Sequence, residues 1–233
     1  MRTVVTIQAR LSSQRLPGKI LRSLRGRPML DYLLEGLAAA RRVDGIVIAT
    51  SDDSGDDETA AFAATRGIDC HRGSLEHVAR RLLAAGESAR ADAIVRISGD
   101  SPLLDPAIVD RAVELFAIGG ADIVSNVRPR SFPKGQSVEV IALPALARAV
   151  AQMTLPDERE HVTPFLYAHP ELFPLRAFGA EHPRPEVQLS VDTPEDFARC
   201  EAILAALSEP HWRAGWQACV TAFDALERES ARA

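Results

Sequence analysis

The segment Gln8-Ala9-Arg10-Leu11-Ser12-Ser13-Gln14-Arg15-Leu16-Pro17-Gly18-Lys19 carries three cations and a Pro-Gly turn. A loop of that make-up offers backbone N–H groups together with Arg10, Arg15 and Lys19, donors that suit a polyphosphate. It is neither of the common glycine-rich phosphate loops, because its one glycine precedes the lysine and no Ser or Thr follows Lys19. Of 27 basic residues only Lys19 and Lys134 are lysines, so a compact, mobile ammonium at position 19 points to a specific need. Two aspartates have the complementary chemistry. Asp100, in Ser98-Gly99-Asp100-Ser101-Pro102, follows an apolar run beside a glycine that admits close approach. It is a candidate magnesium ligand, with a turn or helix cap as the alternative. Asp192 lies just outside Thr193-Pro194-Glu195-Asp196, which opens a helix with Thr193 as its cap. Capping does not account for Asp192; a second carboxylate for Mg²⁺ does. Arg72-Gly73-Ser74 reads as a turn able to touch a base or ribose.

These groups need a scaffold. Apolar, β-branched runs predict strands over 3–7, 46–49, 68–70, 93–97 and 122–125, and apolar periodicity predicts helices over 28–42, 56–66, 76–85 and 106–118. That alternation is the signature of an α/β fold, a mostly parallel central sheet with helices on both faces. Ligands of such sheets sit beyond the carboxyl ends of the strands, where the basic loop and Asp100 fall. After residue 125 the alternation breaks. A strand over 138–141, helices over 144–152 and 158–168, extended stretches over 173–178 and 187–190, and a helix from Pro194 to about 207 are expected. Residues 1–208 read as one domain, with 126–185 as a small insertion on the sheet that serves the acceptor side or a dimer contact. Trp212, Trp216, Val220, Phe223 and Leu226 mark 209–233 as an amphipathic helix whose apolar face packs or dimerises. Asp52, Asp53, Asp56 and Asp57 read as a solvated loop and helix start.

Bulk properties narrow the function classes. With 46% apolar and 25% charged residues, the chain is neither disordered nor fibrous. No apolar run nears the roughly 20 residues of a membrane span. Three cysteines without metal or disulfide spacing fit a reducing compartment, so a cytoplasmic protein with no membrane partner is expected. A net charge of −5 argues against general nucleic-acid binding.

The basic loop, taken with Asp192, resembles the signature of the sugar-acid cytidylyltransferases, the CMP-KDO synthetase group, and more closely its spore-coat polysaccharide biosynthesis protein F type. Supporting segments are Arg72-Gly73-Ser74, Gly99-Asp100-Ser101-Pro102-Leu103-Leu104, Asp122-Ile123-Val124-Ser125-Asn126, Phe132-Pro133-Lys134-Gly135, Glu139-Val140, Glu158-Arg159-Glu160-His161-Val162-Thr163-Pro164 and Val191-Asp192-Thr193-Pro194-Glu195-Asp196-Phe197, spanning about residues 3 to 200. The resemblance implies a Rossmann-like nucleotide-diphospho-sugar transferase fold and a homodimer. It also implies CTP and Mg²⁺, with transfer of CMP to an acidic sugar for surface polysaccharide and release of pyrophosphate. By position it puts Arg10, Arg15 and Lys19 on the triphosphate. Gln8, Ala9, Leu11, Ser12 and Ser98 then surround the nucleotide, with Arg72 and Ser74 beside it. Asp100 and Asp192 fall on Mg²⁺, and Glu139, Glu160 and His161 on the acceptor side. The chain departs from the family pattern at Glu76-His77, Gln136-Ser137 and Gln188, the last replacing an arginine that could clamp an acceptor carboxylate. A glycosyltransferase using a nucleotide-sugar and a non-catalytic nucleotide-binding protein stay open as alternatives; no Asp-x-Asp motif convincingly follows an interior strand to favour the former.

Overall fold

Alternate residues of β1 (Thr3–Gln8) face opposite layers, and nearly all are apolar or buried. Both faces of this strand are therefore covered, as a central parallel strand requires. The computed structural model describes residues 1–232. In it β1 is flanked on one side by β4 (Gly45–Ser51) and then β5 (Asp69–Gly73), and on the other by β6 (Ala93–Ser98). These four strands run parallel, in register Ile7↔Ile48 and Ile7↔Ile97. Beyond β6 lie β8 (Glu139–Ala142), β7 (Ile123–Ser125) and β9 (Leu175–Ala177), with β8 antiparallel to both of its neighbours. The seven-stranded, mostly parallel sheet has the order β5-β4-β1-β6-β8-β7-β9. The short strands β2 (Ser23–Leu24) and β3 (Arg27–Pro28) form a separate hairpin.

One face of the sheet packs on α1 (Met29–Ala38), α2 (Asp57–Thr65), α4 (Pro106–Ala117), α8 (Pro194–Ala206) and α9 (His211–Ser230). Val5, Ile7, Val95 and Ile97 point into that layer. The other face packs on α3 (Val78–Ser88), α5 (Leu143–Val150) and α7 (Thr163–Ala168), with Val4, Val47 and Ile94 pointing there. The short α6 (Pro156–His161) lies against α3. Among the described residues no helix is long and apolar enough to cross a membrane.

Three expectations change. Residues 126–185, expected as a small insertion on the sheet, supply β8 and β9 to the sheet itself, α5 and α7 to one layer, and α6 against α3. The strand expected over 138–141 and the extended stretch over 173–178 become β8 and β9, and pairing across the sheet, which local pattern does not reveal, makes them part of it. The helix expected over 158–168 is two, broken at Val162 with φ +68. Pro164 cannot donate to Glu160 O one turn back and its ring crowds that carbonyl, so it fits only in the first turn of a new helix. The C-terminal helix contains a non-helical residue, Gly215 with φ +82, and restarts where Asp105 Oδ2 accepts from the Trp216 N–H at 3.0 Å. Position 233 of the expected 209–233 helix lies outside the described residues.

Candidate active site

The chain visits β4 and β5 on one side of β1 and then crosses to β6 on the other. In open parallel sheets, strands that diverge in this way leave a crevice at their carboxyl ends. Gln8 and Ser98 end the two strands and are paired. Gly99 N–H donates to Gln8 O at 2.9 Å, and a Cβ at Gly99 would lie 3.1 Å from that oxygen. A cleft of about 170 Å³ opens here, lined by Gln8, Arg10, Ser12, Ser13, Lys19, Ile20, Ser98 and Asp100. The basic loop forms its wall. Gly18 N–H closes the loop on Leu11 O at 3.0 Å, while buried Leu16 and Ile20 pin it to the core.

The two aspartates converge on one atom. Lys19 Nζ donates to Asp100 Oδ2 at 3.2 Å, to Asp192 Oδ1 at 3.0 Å and to Val191 O at 2.7 Å. Asp192 Oδ1 also meets Arg15 Nη2 at 3.1 Å. Val191 N–H donates to Asp100 O at 2.8 Å, so one backbone bond ties the two carboxylate-bearing segments together. Oxygen atoms of two carboxylates and one carbonyl within reach of a single cation make a hard donor set. Mg²⁺ commonly uses such a set, with few protein carboxylates and the rest of its shell from phosphate and water. The residues present therefore fit a divalent cation.

Arg10 faces a second, larger cavity of about 710 Å³, shared with Ser74, Leu75, Glu76, His77, Pro156, Arg159 and Glu160. Its guanidinium meets Glu160 Oε1 at 3.3 Å and Leu75 O at 3.4 Å, which brings α6 across to the turn after β5. Ser74 lines this cavity, and its hydroxyl accepts from the His77 N–H at 3.1 Å. His77 Nδ1 in turn caps α3 by accepting from Arg80 N–H. Ser12 and Leu11 also line a third hollow of about 280 Å³ with Ser51 and Asp56.

Other expected residues are placed differently. Arg72 belongs to β5, not a turn, and spends its guanidinium on Ser51 O, Asp53 O and Asp57, bracing the β4–α2 connection. Ala9 is buried at the start of the loop. His161 ends α6, exposed, and is not among the residues lining the cavity beside Glu160. Glu139 is 3% exposed. Its carboxylate is held by Arg96 Nη1 at 2.6 Å and by the Tyr167 hydroxyl, and Arg96 Nη2 reaches Gln8 Oε1 at 3.3 Å. Burial and then the Glu139 charge push the Tyr167 phenol far above its ordinary range, so it remains a donor. Glu139 thus bears on the cleft through Arg96 and Gln8.

Sequence reasoning missed three supports. Asp56, read as part of a solvated acidic run, is buried, and it accepts from the Leu11 N–H at 2.7 Å and from the Ser51 hydroxyl. Arg81 lies nearby, 1% exposed, donating to Ser74 O at 2.6 Å. Burial and the adjacent Arg10 charge pull its guanidinium down to about 10, so it stays a cation at neutral pH. Gln136, fully buried, accepts from Asp105 N–H at 2.9 Å and donates to Leu103 O at 2.6 Å, bracing the segment after Asp100.

Known proteins share this architecture and sequence. The profile of the family described as cytidylyltransferase matches residues 4–216. The spore coat polysaccharide biosynthesis protein SpsF of Bacillus subtilis is 32% identical over 210 residues, 87% of this chain and 86% of that protein. The 3-deoxy-manno-octulosonate cytidylyltransferase of Geobacter sulfurreducens is 33% identical over 137 residues, 56% of this chain and 51% of that one. The solved structure of a cytidylyltransferase from Leptospira borgpetersenii superposes with a TM-score of 0.89 at 28% identity, covering 99% and 96% of the two chains. A crevice at the switch point, walled by a basic loop, and a match running through nearly every element lead to one assignment: the chain belongs to the cytidylyltransferase family and is a CTP-dependent nucleotidyltransferase.

Proposed function

We infer that the enzyme transfers CMP from CTP to a hydroxyl of an acidic sugar, releasing pyrophosphate, for polysaccharide or glycoconjugate synthesis. The sugar class rests on the names of the two relatives above, a polysaccharide biosynthesis protein and an octulosonate cytidylyltransferase. The observation that carries the residue assignment is the convergence of Lys19, Asp100 and Asp192 on one point of the crevice. The acceptor hydroxyl attacks the α-phosphorus, and the bond to the β-phosphate oxygen breaks. Such transfers are accelerated chiefly by positioning and charge neutralisation, and this chain supplies cations for both. Arg10 and Lys19 take the charge that develops on pyrophosphate, with Arg15 beside Asp192. Asp100 and Asp192 would hold Mg²⁺, which neutralises phosphate charge and makes the acceptor hydroxyl more acidic. The cavity between Arg10, Ser74 and α6 gives the remainder of the substrates room.

Incubation with each nucleoside triphosphate, Mg²⁺ and a panel of sugar acids, read as pyrophosphate, tests this. Release with CTP and a sugar acid is expected; release with a neutral sugar only, or with another triphosphate in preference, overturns it. Lys19→Ala and Asp192→Asn are each expected to lower kcat by roughly a hundred- to a thousand-fold, about 2.7–4 kcal/mol of transition-state stabilisation. Near-normal turnover in either removes that residue from the mechanism.

A further inference from the structure

We propose that Lys19 and the divalent cation take turns on the Asp100–Asp192 pair, so that arrival of the metal releases the ammonium to the polyphosphate. This rests on the reading of those aspartates as metal ligands. An alkylammonium has three N–H donors. All of those of Lys19 are engaged, by Asp100 Oδ2, Asp192 Oδ1 and Val191 O at 2.7–3.2 Å. None is left for a phosphate oxygen. A cation bound by the same oxygens needs the same place, and two positive charges do not share it. Lys19 therefore binds either the carboxylates or the polyphosphate.

The local structure lets it change sides. Lys19 begins a 3-10 turn, Lys19–Leu21, directly after Gly18 with φ +69. Its backbone is anchored by the bond from its N–H to Leu16 O at 3.2 Å and by buried Ile20 beside it. The side chain itself lines the cleft that also holds Arg10, Ser12 and Ser13. Rotation of the four-carbon stem is enough, with no movement of the loop. A lysine suits this task, because its charge is a point on a flexible stem, whereas a guanidinium is a planar fork that fits one partner geometry. In a chain with 27 basic residues and only two lysines, that choice is informative.

The consequence is a linkage. Lys19 competes with metal in the absence of nucleotide, and the triphosphate, by drawing the ammonium away, strengthens metal binding at the carboxylates; by reciprocity metal strengthens triphosphate binding. The two lysines make the exchange directly observable. Lys134 is exposed and serves as an internal reference, while Lys19 is 8% exposed. Acetylation of the chelator-treated wild-type protein by a water-soluble acylating reagent, followed by mass spectrometry, is expected to leave Lys19 protected. Saturating Mn²⁺ should raise its labelling at least fivefold relative to Lys134. In parallel, Mn²⁺ titration without nucleotide, read by electron paramagnetic resonance, should show Lys19→Met binding the ion at least tenfold more tightly than wild type. Thermal denaturation of the same samples checks folding, and a variant that fails to fold leaves the wild-type labelling as the deciding measurement. Unchanged Lys19 labelling with Mn²⁺ bound, or equal or weaker Mn²⁺ affinity in folded Lys19→Met, overturns the exchange. If Asp192→Asn leaves Mn²⁺ binding unaltered, the metal-site reading itself fails, an outcome distinct from the others.

Discussion

A single buried carboxylate decides where the basic loop sits. Asp56 Oδ1 accepts from Leu11 N–H at 2.7 Å, and Arg81 is the nearby cation that offsets its charge. A charge-assisted hydrogen bond of this kind contributes about 1.5–3 kcal/mol. Its loss frees the loop that carries Arg10 and Lys19 without removing either cation. Asp56→Ala is therefore expected to raise KM for CTP about tenfold or more and to change kcat less, as steady-state kinetics on folded protein can check. An unchanged KM means the loop is held by Leu16, Ile20 and the Gly18–Leu11 bond alone. Asp56 also shows where residue-level reading stops. An aspartate ahead of a helix has the local appearance of a solvated helix start, and only the tertiary approach of β1 and β4 reveals its buried role. Lys19 and Asp192 drew attention because no local duty explains a lone lysine among arginines or an aspartate outside a cap, and the fold brings both together with Asp100. Glu139 entered through the family resemblance and Arg72 through the Arg72-Gly73-Ser74 turn, and the fold spends both on neighbouring elements.

At the scale of elements, one strap aligns both carboxylate segments. Lys134 O accepts from Leu189 N–H and Ser190 N–H at 2.9 and 3.1 Å, next to Asp192, while the Gln136 side chain grips Leu103 and Asp105 beyond Asp100. Between them Gly135 has φ +92, and a Cβ there would stand 2.5 Å from Ser190 N. Gly135→Ala must therefore push the 189–190 segment aside, besides holding an alanine at positive φ, a strain of about 1–3 kcal/mol. We expect a drop of tenfold or more in kcat together with a lower melting temperature. Gly67→Ala is the control, since it shares a positive φ of +64 but has open space at its Cβ. It should cost stability alone, and equal kinetics in the two variants would remove the strap from the alignment of the site. The elements themselves were unevenly readable. The β-branched runs of β1, β4 and β6, buried on both faces, announced a parallel sheet, and Pro106 announced α4. Strands β8 and β9 fall on the expected strand over 138–141 and extended stretch over 173–178, but their place and direction in the sheet are fixed by their neighbours. Pro164 and Gly215 were visible breaks that an otherwise continuous apolar pattern masked.

The molecule as a whole depends on how α9 closes the layer beneath the crevice. Asp105 caps α4 through Oδ1 and the restart of α9 through Oδ2, so the C-terminal helix is tied to the segment that follows Asp100. At the start of α9, His211 is 2% exposed beside Tyr32 of α1, and its Nε2 has no partner among the described residues. Burial pulls its imidazole down to about 4, with Arg27 adding to the effect and Glu35 opposing it. The folded state thus binds this proton less readily than the unfolded chain, whose histidine titrates near 6.5. Stability from this group is fully present above about pH 6.5 and falls as pH drops toward 4, by roughly 3 kcal/mol across that window. Ion pairs away from α9 contribute in wild type and variant alike, so the difference between the two reads His211 together with the Arg27–Glu35 pair it faces. His211→Gln should lose less stability between pH 7 and pH 4.5 than wild type, by about 2–3 kcal/mol in urea titrations, with CTP turnover at pH 7 unchanged. Parallel pH profiles would show that protonation of this histidine does not govern the packing of α9 and that the acid sensitivity of the fold lies in its carboxylates.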